Sequence, residues 1–333
     1  MFLKIIRKVI FCIFIFSIVG FSQSISQVKL KALHRKNYVI LRWAPTNPTT
    51  WFLGVEHGYG IERYTMARNG KMLDKPEKIV LSRAPLKPAP QTIWENEYIK
   101  KQDDYLAIAA QAYYGTNFQV LTNKPGVMDM VNKAREQENR FGFALVAADR
   151  NGIVAQLSGL RYVDSTVKSN ERYLYRVYTY IPIEKQKTDT AFTYVNMSIP
   201  NVFPRFSDFK AKANKKQVTL TWSSLAVSDY FSAYIIERSE NEGKTWKQVN
   251  LKPYAYLSPN GSVPENYTYM DTIPYQGRPY WFRIAGTTIF DENGPYSPMI
   301  RVQGKNSLPE SPKISTMMEI EKTGGASNLG IPR

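Results

Sequence analysis

Two five-residue runs set the pattern of the chain. Val39-Ile-Leu41-Arg-Trp43 and Val218-Thr-Leu220-Thr-Trp222 both place Val, Leu and Trp at every second position. A period of two marks a strand with one buried face. Downstream, Tyr59-Gly-Ile61-Glu62-Arg63 has a counterpart in Tyr234-Ile-Ile236-Glu237-Arg238, and Trp to Glu is 19 residues in the first copy and 15 in the second. A third stretch, Tyr162-Val-Asp164 through Tyr173-Leu-Tyr175-Arg176-Val177, aligns without a gap with Tyr269-Met-Asp271 through Tyr280-Trp-Phe282-Arg283-Ile284. Asp to Arg spans twelve residues in both. Three matched strand patterns in one order are an internal repeat.

The copies differ in length. Tyr59 to Tyr162 is 103 residues, whereas Tyr234 to Tyr269 is 35, so the first copy carries 68 more. A loop that long without structure does not suit a compact domain, so the extra residues need a fold of their own. Ala84-Pro-Leu-Lys-Pro88-Ala-Pro90 breaks the strand pattern. Thr92-x-x-Glu95 then reads as a capping box. Trp94, Tyr98, Tyr105, Ile108 and Ala112 recur at helical spacing, and Gly115 reads as the C′ residue that closes this helix. Val127, Met130, Val131, Ala134, Phe141, Leu145 and Ala148 give a second helix over about 127–149, ended by Asn151-Gly152. Ile153–Leu157 reads as a short apolar piece that returns the chain to the next strand. The expectation is a helical insert at about 84–160 between strands of the first copy.

The repeated residues resemble fibronectin type III domains: the Trp ending strand B, Y-x-I-E-R on strand C, and Y-x-[YF]-R-[VI] on strand F. The resemblance implies a mainly β chain of two tandem sandwiches, at 28–200 with the helical insert and at 203–304. It also implies structural roles. Trp43 and Trp222 plug the cores, and Tyr173 and Tyr280 are tyrosine corners whose hydroxyls bond backbone before strand F. Glu242-Gly243 is expected to turn strand C of the second copy, and Asp291-Glu-Asn-Gly294-Pro to be its F–G loop. Tyr254, Tyr256, Tyr267 and Tyr269 read as cross-strand pairs. In the tail, 305–333, Leu308-Pro-Glu-Ser-Pro312 echoes the entry to the second copy, as though a third repeat begins and stops.

The N-terminus reads as an address. Lys4, Arg7 and Lys8 precede the apolar run Val9 to Phe21, and Ser22-Gln23-Ser24 follows. That order is a secretory signal peptide over 1–23, too short to span a membrane; membrane contact would arise only if it stays uncleaved. Cleavage would remove Cys12, the one cysteine, and leave packing alone to hold the fold. Asp164-Ser165-Thr166, Asp189-Thr190-Ala191 and Asp271-Thr272-Ile273 resemble a short O-glycosylation acceptor pattern of exported Bacteroidetes proteins.

Charge and chemistry narrow the function. The 333 residues carry 44 Lys and Arg against 28 Asp and Glu, a net +16. Within 92–160 eight acids meet seven bases, so the excess lies outside the insert. A basic exported chain suits acidic envelope glycans or a protein partner; no nucleic-acid motif occurs. Two His and one Cys leave little for metal or nucleophilic chemistry, and no cofactor or metal is expected. Glu56-His57, in the loop between strands B and C, is the one base–orienter pair; His34 has no evident partner. Trp51, Tyr59, Trp94, Tyr113 and Tyr114 either grip a ligand with aromatic faces or pack the insert onto the sandwich. The expectation is an exported, non-catalytic interaction or adhesion protein of the cell surface or periplasm of a Gram-negative bacterium, with sandwiches as spacers and the insert as contact surface. The alternatives are a carbohydrate-binding accessory module and a cell-envelope hydrolase.

Overall fold

The computed structural model describes residues 27–116, 127–250, 254 and 263–304. For 127–133 only the helical backbone is described, so Val127, Met130 and Val131 cannot be assigned a face. The expected signal peptide, the echo of a third repeat and Tyr256 lie outside the described residues. The chain divides at Val202/Phe203 into two compact units.

In the first unit, β1 (Val28–Arg35), β2 (Tyr38–Pro45) and β5 (Arg161–Asp164) form one antiparallel sheet in the order β1-β2-β5. The other sheet is β4-β3-β6-β7, from β3 (Tyr59–Arg68), β4 (Lys71–Val80), β6 (Glu171–Thr179) and β7 (Ala191–Asn196). Alternation turns Val39, Leu41 and Trp43 of one sheet towards Ile61, Tyr173, Tyr175 and Val177 of the other, and these side chains are fully buried.

The second unit repeats this order. Strands β8 (Lys210–Asn214), β9 (Gln217–Ser223) and β12 (Asn266–Thr272) make the sheet β12-β9-β8. Strands β10 (Ala233–Ser239), β11 (Lys247–Gln248), β13 (Pro279–Thr287) and β14 (Ile300–Gln303) make β11-β10-β13-β14. Trp222 sits at its centre, 5.1 Å from the Tyr234 ring. Glu242 and Gly243 both take positive φ, which turns the chain between β10 and β11. The three-plus-four antiparallel arrangement makes both units fibronectin type III-like sandwiches, and among the described residues only the first carries helices.

Helices enter the first unit at two places. The loop expected between Trp43 and Tyr59 holds α1 (Pro48–His57), capped by the Asn47 side chain on the Thr50 amide and stopped by Gly58 at φ 81°. Between β4 and β5 come α2 (Gln91–Lys101), α3 (Asp104–Tyr114), α4 (Val127–Arg150) and α5 (Gly152–Leu157). The single helix expected from Thr92 to Gly115 is broken. Gln102 adopts a left-handed conformation and Asp103 accepts from the Tyr105 amide to start α3. Thr92 caps nothing, because α2 already starts at Gln91, with Pro90 at its N-cap position and no side-chain cap. The apolar piece Ile153–Leu157 that leads back to β5 is helical, because Asn151 accepts from the amides of Ile153 and Val154.

The repeated residues also form a repeated network. Arg63 reaches across the first core to Asp164 at 2.7 Å and lies over the Tyr173 ring. Arg238 does the same to Asp271 at 2.6 Å and lies over Tyr280. The Lys168 amide donates to the Tyr173 hydroxyl at 2.8 Å, and the Tyr275 amide to Tyr280 at 3.0 Å. The two carboxylates are nevertheless held differently. Burial pushes Asp164 up, but hydrogen bonds from Thr166 and the Arg63 guanidinium outweigh it and leave the group below the usual carboxylate value. Burial also pushes Asp271 up, and Arg238 offsets only part of that, so the group stays raised.

Linkage then gives opposite pH signs. The depressed Asp164 stabilises the fold above the unfolded carboxylate value and loses that contribution as pH falls through its folded value. Asp271, raised, is favoured in its protonated form and loses stability as pH rises through the carboxylate range. Asp164→Asn is expected to cost about 3 kcal/mol at pH 7, because it leaves Arg63 buried without its counter-charge, and Asp271→Asn clearly less. Denaturant unfolding at pH 7 and again near pH 3 checks this; equal costs at pH 7, or an Asp164→Asn cost that does not shrink in acid, would contradict it.

Candidate interaction surface

The insert is built around three aromatic rings in contact. Trp51 of α1 lies 5.0 Å from Tyr113 of α3, and Tyr113 lies 5.5 Å from Trp94 of α2. Trp94 donates from its indole to the Ala89 carbonyl at 3.0 Å, and the Tyr114 hydroxyl donates to that same carbonyl. Small residues fill between the rings: Ala109 of α3, Ala147 and Ala148 of α4 and Ala155 of α5, with Leu106 and Val154. Alanine at these positions brings the helix backbones close enough for the rings to span the gaps.

This placement decides the question the aromatics left open. Trp51 and Tyr59 are 2% exposed and Trp94 is fully buried. Tyr113 and Tyr114 are partly buried, and burial raises both hydroxyls above their usual value. Trp51, Tyr59 and Trp94 therefore pack in the interior of the first unit, and Tyr113 and Tyr114 pack against the same clusters while partly exposed.

Two arginines hold the insert in place. Arg42 stands at an alternate position of β2 that the strand pattern assigns to solvent, yet it is 2% exposed. The end of α4 covers it: its guanidinium pairs with Asp149 at 2.9 Å and donates to the carbonyls of Trp43 and Leu160. Arg140 of α4 caps α3. It donates to the carbonyls of Gln111, Ala112 and Gly115 and pairs with Glu136 at 2.8 Å. Gly115 is extended, at φ −63° and ψ 135°, so it does not serve as the left-handed residue expected there. The capping role has passed to Arg140, a cation at a helix C-terminus.

The Glu56–His57 pair is occupied. Lys185 donates to Glu56 at 2.9 Å and to the His57 Nε2 at 3.0 Å, which places an ammonium proton on the nitrogen a base would use. The hydrogen bond from Lys185 holds Glu56 below the usual carboxylate value. His34 lies on β1, with its ring nitrogen 2.6 Å from the Ile199 carbonyl. Asp164 and Asp271 of the short acceptor-like patterns are the core carboxylates described above. Among the described residues, no group of three or more His, Cys, Asp or Glu is placed to hold a metal ion.

The insert's outer surface is open and apolar. Ala107, Ile108, Gln111 and Phe143 line a cleft of about 480 Å³ between α3 and α4, and Phe143 is 48% exposed. Ile93, Tyr98 and Ile99 of α2 are exposed as well. Tyr98 and Ile108 were legible as apolar helix positions but not as exposed ones, and Phe143, Ile93 and Ile99 carried no signal, because an apolar residue on the open side of a helix is recognisable only once the buried face is known.

No family model matches the chain, and no curated protein matches it. Among solved structures it is similar to the chicken interferon gamma receptor alpha chain, at 9% identity and a TM-score of 0.27, over 84% of this chain and 97% of that one.

Trp94→Ala is expected to destabilise the first unit by about 3–5 kcal/mol, the range for emptying a buried indole site. Circular dichroism at 222 nm during denaturant unfolding measures it. A Trp94→Ala chain as stable as the parent would contradict a core role.

Proposed function

We propose that this chain is an exported, non-catalytic interaction protein whose two sandwiches form a frame and whose helical insert presents a contact surface for a protein partner. The observation that carries this reading is the cleft between α3 and α4. The insert's interior holds Trp51, Tyr113 and Trp94, whereas Phe143 is 48% exposed and lines the cleft with Ala107, Ile108 and Gln111. Apolar side chains collected at an open cleft suit an anchor residue from a partner. Inserts on a rigid scaffold are where such contacts concentrate.

Export is supported by the basic start, the thirteen-residue apolar run and the small polar residues after it. Cell surface or periplasm of a Gram-negative bacterium is the setting we assign. A non-catalytic role is supported by the Lys185 contacts that occupy Glu56 and His57.

The test uses the full chain and the doubly changed Ala107→Glu/Phe143→Glu chain, both immobilised and exposed to cell-envelope extract. The parent is expected to retain a protein that the variant recovers at least about tenfold less, as for a lost interface anchor, with unchanged circular dichroism. Retention of the same proteins by both chains would remove the cleft as the contact surface.

A further inference from the structure

The outer face of the β4-β3-β6-β7 sheet carries a second, separate arrangement. Alternation on β6 sends Tyr173, Tyr175 and Val177 into the core, so Arg176 and Tyr178 face out. On β7, Ala191 and Val195 face in and Phe192 and Tyr194 face out. Phe192 and Tyr194 are 56% and 53% exposed, and Tyr180 is 40% exposed. Register places Phe192 beside Arg176 and Tyr194 beside Leu174.

The rings are laid out as a platform. Tyr178 pairs with Gly60 on β3, where a Cβ would come 2.4 Å from the Tyr178 ring. Glycine at this position lets the ring lie across the neighbouring strand. Tyr178 and Tyr180 stack edge to face at 5.4 Å with their hydroxyls 3.3 Å apart, and the Arg176 guanidinium sits 5.1 Å over Tyr178. Phe192 and Tyr194, two residues apart on one strand, are spaced about 7 Å along it.

The charge on this face is cationic. Glu62 is buried beneath it and saturated, accepting from Lys78 at 2.7 Å, Arg176 at 3.2 Å and the Tyr64 hydroxyl at 2.8 Å. Arg176 spends Nη1 on Glu62 and its Nε is buried, which leaves Nη2 for an anion. Exposed rings, tyrosine hydroxyls and a stacked guanidinium on an open sheet face match a sugar chain bearing carboxylates. The apolar face of each pyranose stacks on a ring, its hydroxyls meet the phenols, and its carboxylate meets arginine.

We propose that this face binds a linear acidic polysaccharide, a polyuronate, independently of the insert. The test is retention of the full chain in affinity electrophoresis with polygalacturonate or alginate, against neutral pullulan. Changes at exposed positions should leave the fold intact, which circular dichroism confirms. Expected are retention by a polyuronate but not by pullulan, weakening with added salt, and at least a tenfold loss both in Phe192→Ala/Tyr194→Ala and in Arg176→Gln. The Ala107→Glu/Phe143→Glu chain should bind the polysaccharide like the parent, which separates this site from the cleft. The proposal is overturned if neither polyuronate retains the parent. It is equally overturned if either sheet variant binds as the parent does, or if changes on this face abolish capture of a protein and leave polysaccharide retention untouched.

Discussion

Arg42 is the residue on which the first unit's architecture turns. A guanidinium at 2% exposure needs a counter-charge and acceptors close by. Asp149 at the end of α4 meets the charge through Nη2, and Nη1 donates to the carbonyls of Trp43 and Leu160. One side chain therefore joins the strand that carries the core tryptophan, the last turn of the longest helix, and the residue that leads into β5. The corresponding position in the second unit, Thr221, is only partly buried, and β9 keeps the alternating burial of a strand with one open face. The same strand pattern thus has two outcomes, set by what lies over its outer face.

The insert shares packing with the sandwich as well as this ion pair. Leu145 of α4 packs against the sandwich core, and Trp51, on the helix between β2 and β3, packs with Ala112 and Ala144 of the insert. Large aromatics and small alanines divide the labour: alanines set the helix separation and the rings fill it. Sequestering the rings inside has a functional consequence. Surface chemistry falls to the residues left outside, the cleft around Phe143 on the insert and the tyrosines and phenylalanine on the far sheet. These two surfaces differ in kind, one an apolar open cleft, the other aromatic and cationic.

Much of the frame was legible in the residues. Strand order could be read because the period of two, the Trp at the end of β2 and β9, and the Tyr-x-Tyr and Tyr-x-Phe patterns of β6 and β13 recur in both units. That the extra residues of the first copy are helical followed from the spacing of Trp94, Tyr105, Ile108 and Ala112. Helix ends were less legible, because they depend on single side chains acting locally. Gln102 takes a left-handed conformation without being glycine, Arg140 replaces the expected glycine cap from a distant position, and Asn151 starts a helix where Asn-Gly suggested a stop. The site was hardest. An aromatic residue has the same letter in a core and on a surface, and no periodicity within the insert told Trp94 from an exposed ring. On β6 and β7 the alternation did contain that information, since the inward tyrosines fix the outward ones.

Native-state hydrogen exchange over increasing denaturant tests most directly whether insert and first sandwich are one cooperative body. Amides of α3 and α4 should merge with those of β2 and β6 at a common opening free energy, and Arg42→Met should lower that value for all four together. Helix amides that open at a distinctly lower free energy than the strands, with Arg42→Met affecting neither set, would show the insert to be an independent appendage.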